Sequence, residues 1–211
     1  EIKVKAVGGA TAEKILAAAA SFKADLIVLS THGRSGASRW RLGSVADKVI
    51  RKSTCNVLAV GPKSAEHQRT DVRSIMVPLD GSELGEQALP LAIQVAQKTQ
   101  AQLHLVQAIS LLPTELLATF NMTDLEKVIR GYLSEKAQIC LQEHAVIDFV
   151  HGASADALQF YAGQEAIDLI VMTSHGRGGF IRSALGSVTD RMLGGVAPVL
   201  IVRKQLTEAD E

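Results

Sequence analysis

Cysteine, tryptophan and net charge are all scarce in this chain. Its two cysteines, Cys55 and Cys140, lie far apart with no CxxC spacing. That excludes a disulfide framework and leaves two reduced thiols as the reading. Lys+Arg and Asp+Glu both number 22, for a formal net charge of zero. A general nucleic-acid binder carries a basic excess, so nucleic acid is not an expected partner. No apolar run approaches the ~18–20 residues that a membrane span needs, and no membrane partner is expected. No signal peptide is visible. The six histidines and two cysteines show no metal-ligand spacing, so no metal held by protein ligands is expected. There is no GxxxxGK[ST], which excludes a P-loop enzyme, and GRGG at Gly176 misses the GxGxxG fingerprint.

What is present is the composition of a folded globular protein. Of 211 residues, 47% are apolar and 21% charged, enough to bury a sizeable core. The chain is also a repeat of itself. Gly176 minus Gly33 is 143, and the same offset pairs Gly9 with Gly152, Asp25 with Asp168, Gly43 with Gly186 and Asp47 with Asp190. About half the positions over residues 24–51 are identical to their partners. A period of 143 is the size of a whole domain, so this is a domain duplication and not a short solenoid. The second unit begins near Val72–Arg73, which places the expected start of the first about 70 residues ahead of Glu1. The expected division is therefore 1–62 as the C-terminal half of a first domain, 63–71 as a polar linker, 72–204 as a complete second domain, and 205–211 as a tail.

Within the first unit, residues 2–7 read as strand, and Thr11 stands where a helix cap belongs, ahead of Ile15, Leu16 and Ala19 at helical spacing. Residues 26–29 are wholly apolar, the pattern of a parallel strand buried on both faces. A helix with Val45, Val49 and Ile50 on one face follows Gly43-Ser44, and 57–60 is the next strand. The second unit reads in full. Strand 75–79 ends in Asp80-Gly81-Ser82, with Ser82 capping a helix over 83–98 that Pro90 is expected to bend. Strand 103–109 and an irregular stretch, 110–122, come next. Thr123-Asp124-Leu125-Glu126 reads as a capping box, ahead of a stripe of Leu125, Val128, Ile129, Tyr132, Leu133, Ala137, Cys140 and Leu141. Strand 146–150, a helix capped by Ser154, strand 169–172, a helix from near Gly186 and strand 199–202 complete it. Alternating strands and helices predict an α/β fold of two tandem doubly wound parallel sheets, the first incomplete. Ligands of such sheets bind outside the carboxyl ends of the strands, where the strand order reverses.

Three features of the second unit converge on that edge: Asp80 after the first strand, Thr173 to Gly178 after the fourth, and Gly186-Ser187 at the last helix. Gly176 and Gly178 let backbone approach closely. The N–H groups of Ser187 and Val188 bring the positive end of a helix dipole, and the Ser187 hydroxyl can donate to a phosphate oxygen. Arg177 and Arg182 can add charge-assisted bonds, though a loop arginine is more often simply solvated. Asp80, an acceptor, suits an adenine amino group or a ribose hydroxyl. His32 and His175 lack a nearby nucleophile or orienting carboxylate, so they read as turn or phosphate-side residues. Asp25 and Asp168 read as turn or capping residues, and Trp40 as packing.

With these residues in place the sequence resembles the universal stress proteins in their tandem-domain form. The family's nucleotide motif is glycine, two residues, glycine, nine residues, glycine, then serine or threonine. Gly176, Gly186 and Ser187 match it, as do Gly33, Gly43 and Ser44, while its first glycine is Thr173 or Ser30 here. VPLDGS at 77–82 resembles the family's first strand with its adenine-side aspartate. The resemblance implies five-stranded domains of strand order 3-2-1-4-5. It also implies ATP or AMP, with Mg²⁺ as a possible companion, at Leu79, Asp80, Ala108, Met172, Thr173, His175, Gly176, Arg177, Gly178, Gly186, Ser187, Val188 and Thr189. A second, incomplete site falls at Ser30, Gly33, Gly36, Gly43, Ser44 and Val45. It further implies a cytoplasmic stress-response role, pairing of the two domains through their fifth strands (56–61 with 199–203), and a homodimer of such chains. A nucleotide-binding regulator is the leading expectation. A slow ATPase or phosphotransferase, or a nucleotide-free scaffold, are the alternatives; hydrolysis needs a positioned water and base, and no carboxylate is clearly placed for that.

Overall fold

The computed structural model describes residues 2–32, 42–64, 71–109, 122–140, 145–174 and 185–203. In chain order these form α1 (Thr11–Phe22), β1 (Leu26–Ser30), α2 (Ser44–Lys52), β2 (Asn56–Val60), β3 (Ser74–Leu79), α3 (Glu83–Glu86) and α4 (Leu89–Thr99). They continue with β4 (Gln102–Ile109), α5 (Met122–Ile139), β5 (Val146–His151), α6 (Ser154–Gln164), β6 (Leu169–Thr173), α7 (Ser187–Met192) and β7 (Val199–Val202). The strands make one seven-stranded sheet in the order β1-β2-β7-β6-β3-β4-β5. Its last five members, numbered within the second repeat, run 5-4-1-2-3, which is the expected order read from the other end. Neighbours are parallel except at one seam, where β2 meets β7 antiparallel with Val57 opposite Ile201 and Ala59 opposite Val199. The expected pairing of the two fifth strands is this seam. It joins the repeats into one sheet and covers an edge on each.

Alternation along the strands divides the core between two faces. Met76, Val106, Ile170, Val57 and Ile201 point to one face, under α1, α2, α6 and α7. Ile75, Val77, Leu79, Leu105, Val171 and Leu200 point to the other, under α4 and α5. The second layer stops short of β1. Leu26 and Val28 are 43% and 62% exposed, whereas their repeat partners Leu169 and Val171 are 7% and 0% exposed. The expectation of a strand buried on both faces therefore fails at β1 and holds at β6. The cause is the neighbourhood: β6 lies between β3 and β7 and has α4 above it, while β1 is the sheet's edge.

Residues 2–7 are not a strand, against expectation. Their repeat partner is β5, which is held in the sheet by β4, and among the described residues no strand lies beside residues 2–7. The helix expected over 83–98 is broken, not bent. Ser82 caps α3, accepting from the Gly85 amide at 3.1 Å, and Pro90 sits in the first turn of α4. A proline there has no N–H for the Glu86 carbonyl and its ring would strike it, so α3 ends at Glu86. Thr11 and Ser154 are the first helical residues and not caps; Ala10 and Ala153 hold the cap positions, after Gly9 and Gly152 at φ +118° and +132°. The same turn thus recurs in both repeats, one residue ahead of the expected place. Met122 is already helical, so Thr123 does not stand in front of α5. On its expected stripe Ile129 and Leu133 are buried but Val128 is 69% exposed. Leu141, Trp40 and Arg182 lie outside the described residues, as does most of the linker.

One buried histidine gives the fold a pH dependence. His104 on β4 is 4% exposed, with Nδ1 3.0 Å from the Tyr161 hydroxyl. Burial pushes its imidazole below the ordinary 6.5, outweighing the carboxylates of Glu165 and Asp148, which act in the opposite sense. The unfolded chain then takes up this proton first. The contribution of neutral His104 is whole above the unfolded pKa, and it declines as pH falls from there towards the lower folded value. Urea midpoints should drop between about pH 7.5 and about pH 5.5, and His104→Phe should flatten that drop. An unchanged slope in the variant would count against this assignment.

Candidate functional site

The two strand-to-helix junctions that the sequence singles out have the same geometry. After β1, the Gly43 amide donates to the Thr31 carbonyl at 2.9 Å; after β6, the Gly186 amide donates to the Ser174 carbonyl at 2.9 Å. Gly43 has φ −63° and ψ 144°, Gly186 φ −61° and ψ 144°. These angles suit any residue, so at Gly43 the reason for glycine is space. A Cβ on Gly43 would lie 3.1 Å from the Thr31 carbonyl oxygen. Each glycine carbonyl then accepts from the backbone amide four residues on, that of Asp47 at 2.8 Å and that of Asp190 at 2.9 Å, which starts the helix. Ser187 and Val188 open α7, where a helix's first amides have no acceptor within the helix itself.

Asp80 follows β3, beside β6 in the sheet, and its Oδ1 accepts from the Ser82 amide at 3.0 Å and the Ser82 hydroxyl at 2.6 Å. Gly85 packs against it: a Cβ on that residue would come within 2.8 Å of Asp80 Oδ1. Behind this turn the Tyr132 hydroxyl donates to Glu86 at 3.0 Å and Lys136 pairs with Glu86 at 3.1 Å, tying α5 to α3. Burial first, then the Glu86 carboxylate, pushes the Tyr132 phenol well above its ordinary range. Ala108, Met172 and Val188 share the first face of the sheet. Leu79 points to the opposite core, so only its backbone can join them. Thr189 is 2% exposed, and its hydroxyl donates to the carbonyls of Thr173 at 3.2 Å and Ser174 at 3.4 Å. That side chain braces the junction. Its repeat partner is Ala46, so the brace is confined to the second repeat. His175, Gly176, Arg177 and Gly178 lie outside the described residues, as do Gly33 and Gly36.

At the first repeat, the Ser30 hydroxyl donates to the His32 carbonyl at 3.0 Å, and Ser44 and Val45 are exposed. Thr31, fully buried, places its hydroxyl 2.8 Å from His32 Nδ1. A cavity of about 400 Å³ opens here, lined by His32 and Leu42 from this junction and by Asp156, Gln159, Asp190 and Arg191 from α6 and α7. The first repeat's junction thus faces helices of the other repeat. Sequence reasoning missed two participants, Ser174 and Thr31. They had a signal, since they pair at the 143-residue offset with a hydroxyl in both copies. No described cluster of His, Cys, Asp and Glu could hold a metal ion. No helix among the described residues is long and apolar enough to cross a membrane.

Comparison with known proteins places this geometry. A universal stress protein of Mycobacterium tuberculosis is 26% identical over 187 residues, covering 88% of this chain and 63% of the relative. The chain therefore spans under two thirds of that relative's length. A universal stress protein of Methanocaldococcus jannaschii is 27% identical over 147 residues, covering 64% of this chain and 85% of its own length. Among solved structures, a protein of Pseudomonas aeruginosa described as a putative universal stress protein aligns with TM-score 0.69 at 18% identity, over 93% of this chain and 69% of that one. A universal stress protein solved in complex with cAMP aligns with TM-score 0.51 at 22% identity, over 64% of this chain and 100% of its own. The model of the Universal stress protein family matches residues 1–61 and again 71–203. The chain belongs to the universal stress protein family, in its tandem form.

Proposed function

We propose that the chain is a regulatory module that binds an adenine nucleotide, ATP or AMP, at the carboxyl edge of its second repeat. The observation that carries this reading is the duplicated junction. Gly43 and Gly186 keep the same dihedrals and the same 2.9 Å bond to the strand-end carbonyl, so both junctions hold one backbone shape. In the second repeat that shape stands beside Asp80. The aspartate offers an acceptor for the adenine amino group or the ribose hydroxyls, and the residues from Thr173 to Gly178 with Ser187 and Val188 take the phosphates. A solved relative of the same fold holds cAMP, and an adenine nucleotide fits the reading here. Mg²⁺ accompanies the triphosphate. The units 1–62 and 72–204 act as a pair across the seam, such chains dimerise in the cytoplasm, and occupancy selects the partner in a stress response.

Calorimetric titration of the chain with ATP, AMP and adenosine tests this. Asp80→Ala removes the adenine-side acceptor, so it should weaken ATP and adenosine alike by about tenfold or more, roughly 1.4 kcal/mol. The loss of the Ser82 turn is checked separately by thermal unfolding. The reading fails if none of the three ligands gives heat with the wild type, or if the variant binds as the wild type does.

A further inference from the structure

The carboxyl edge of β6 and β7 carries a cation that its neighbours leave half satisfied. Arg203 follows β7, and its backbone amide donates to Asn56 Oδ1 at 3.0 Å across the seam. Its Nη1 donates to Ser174 Oγ at 2.9 Å. Ser174 is the residue whose carbonyl receives the Gly186 amide, so these two bonds fix the guanidinium beside the β6–α7 junction. The other side of the group, Nε and Nη2, is closed off from solvent and has no hydrogen-bond partner among the described residues. Those two nitrogens are not an arbitrary pair. Their N–H bonds point the same way in the guanidinium plane and form the side-on fork that matches two oxygens of one oxyanion.

The chemistry around the fork is that of a cation short of an acceptor. Burial pushes the Arg203 guanidinium below its ordinary pKa, with Cys55 acting in the opposite sense. Arginine stays charged at neutral pH regardless, and a desolvated charge without an acceptor is strongly unfavourable. The duplicated edge has no such group. Gly61 follows β2, and a Cβ there would lie 2.9 Å from the Leu193 carbonyl oxygen, so no side chain fits. The arginine is particular to the repeat that also holds Asp80.

We propose that Arg203 is an oxyanion-binding residue of the second repeat's site, its Nε–Nη2 fork receiving two oxygens of a phosphate on the bound nucleotide. This rests on the nucleotide reading above. The bonds to Asn56 and Ser174 link phosphate binding to the seam between the repeats.

The test compares ATP, inorganic triphosphate and adenosine by calorimetry on the whole chain, as wild type, Arg203→Lys and Ser174→Ala. Lysine keeps the charge and loses the fork. Arg203→Lys should weaken ATP about tenfold or more and leave adenosine within about twofold, because a single ammonium cannot bind bidentately. Ser174→Ala frees Nη1 and should weaken ATP a few-fold, again sparing adenosine. Inorganic triphosphate should follow ATP if the fork reads phosphate alone. Unchanged ATP affinity in Arg203→Lys overturns this inference and leaves the nucleotide reading standing. So does an equal loss of ATP and adenosine, which would mark a structural arginine. A wild type that binds none of the three ligands brings down both.

Discussion

Ile201→Ala should cost about 2–5 kcal/mol of unfolding free energy, while Val28→Ala should stay within about 0.5 kcal/mol. Both residues are β-branched strand positions in the same sheet, so propensity cannot separate them. Position does. Ile201 has no exposed surface and stands opposite Val57, itself fully buried, in the antiparallel seam. Its removal leaves a cavity between two strands that belong to different repeats, and the surrounding sheet can relax only in part. Val28 has 62% of its surface in solvent. Urea unfolding of the two variants measures the difference. If they came out equally destabilised, the seam would not be part of the cooperative core, or the open face of β1 would be covered in solution.

Asp168→Ala should cost about 2–4 kcal/mol, a large effect for one surface-adjacent carboxylate. Asp168 is 9% exposed, and its Oδ2 lies 2.9 Å from the Arg73 amide, 3.1 Å from the Ser74 amide and 3.3 Å from the Ser74 hydroxyl. The Asp168 amide donates back to the Ser74 carbonyl at 3.0 Å. One side chain therefore ties the first residues of β6 to those of β3. Alanine would leave two part-buried backbone donors without their acceptor, and an unsatisfied donor costs more than the bond itself is worth. Asp168→Asn, which keeps one acceptor oxygen, should recover part of the loss. Denaturant midpoints for the three chains decide it; a shift below about 0.5 kcal/mol for alanine would mean that water replaces the carboxylate freely.

These cases also mark what a sequence can disclose. The duplication and the α/β alternation were legible because they depend on residues near one another or on identity between copies, whereas the strand order and the meeting of the fifth strands came only through the family resemblance. Leu26 and Leu169, or Val28 and Val171, are the same residues in the same context, yet one copy is open and the other buried. Burial belongs to the neighbours, which lie elsewhere in the chain. Asp168 was readable as a turn residue but not as the clamp on Ser74, 94 positions away. Arg203 was invisible for the same reason, since its meaning depends on Asn56 arriving across an antiparallel seam. The caps at Thr11 and Ser154 were off by one residue because Gly9 and Gly152 turn the chain earlier than a hydroxyl-first rule assumes. Within the site, Asp80, Gly43 and Gly186 could be picked by type and spacing. The brace from Thr189 could not, as a threonine after a helix start carries no sign of which carbonyl it will meet.

The seam has one more consequence. β1 runs with β2, β6 runs with β7, and β2 opposes β7. The two repeated junctions therefore point to opposite poles of a single slab. The chain thus presents the two junctions at opposite ends, although it is built from one repeated design.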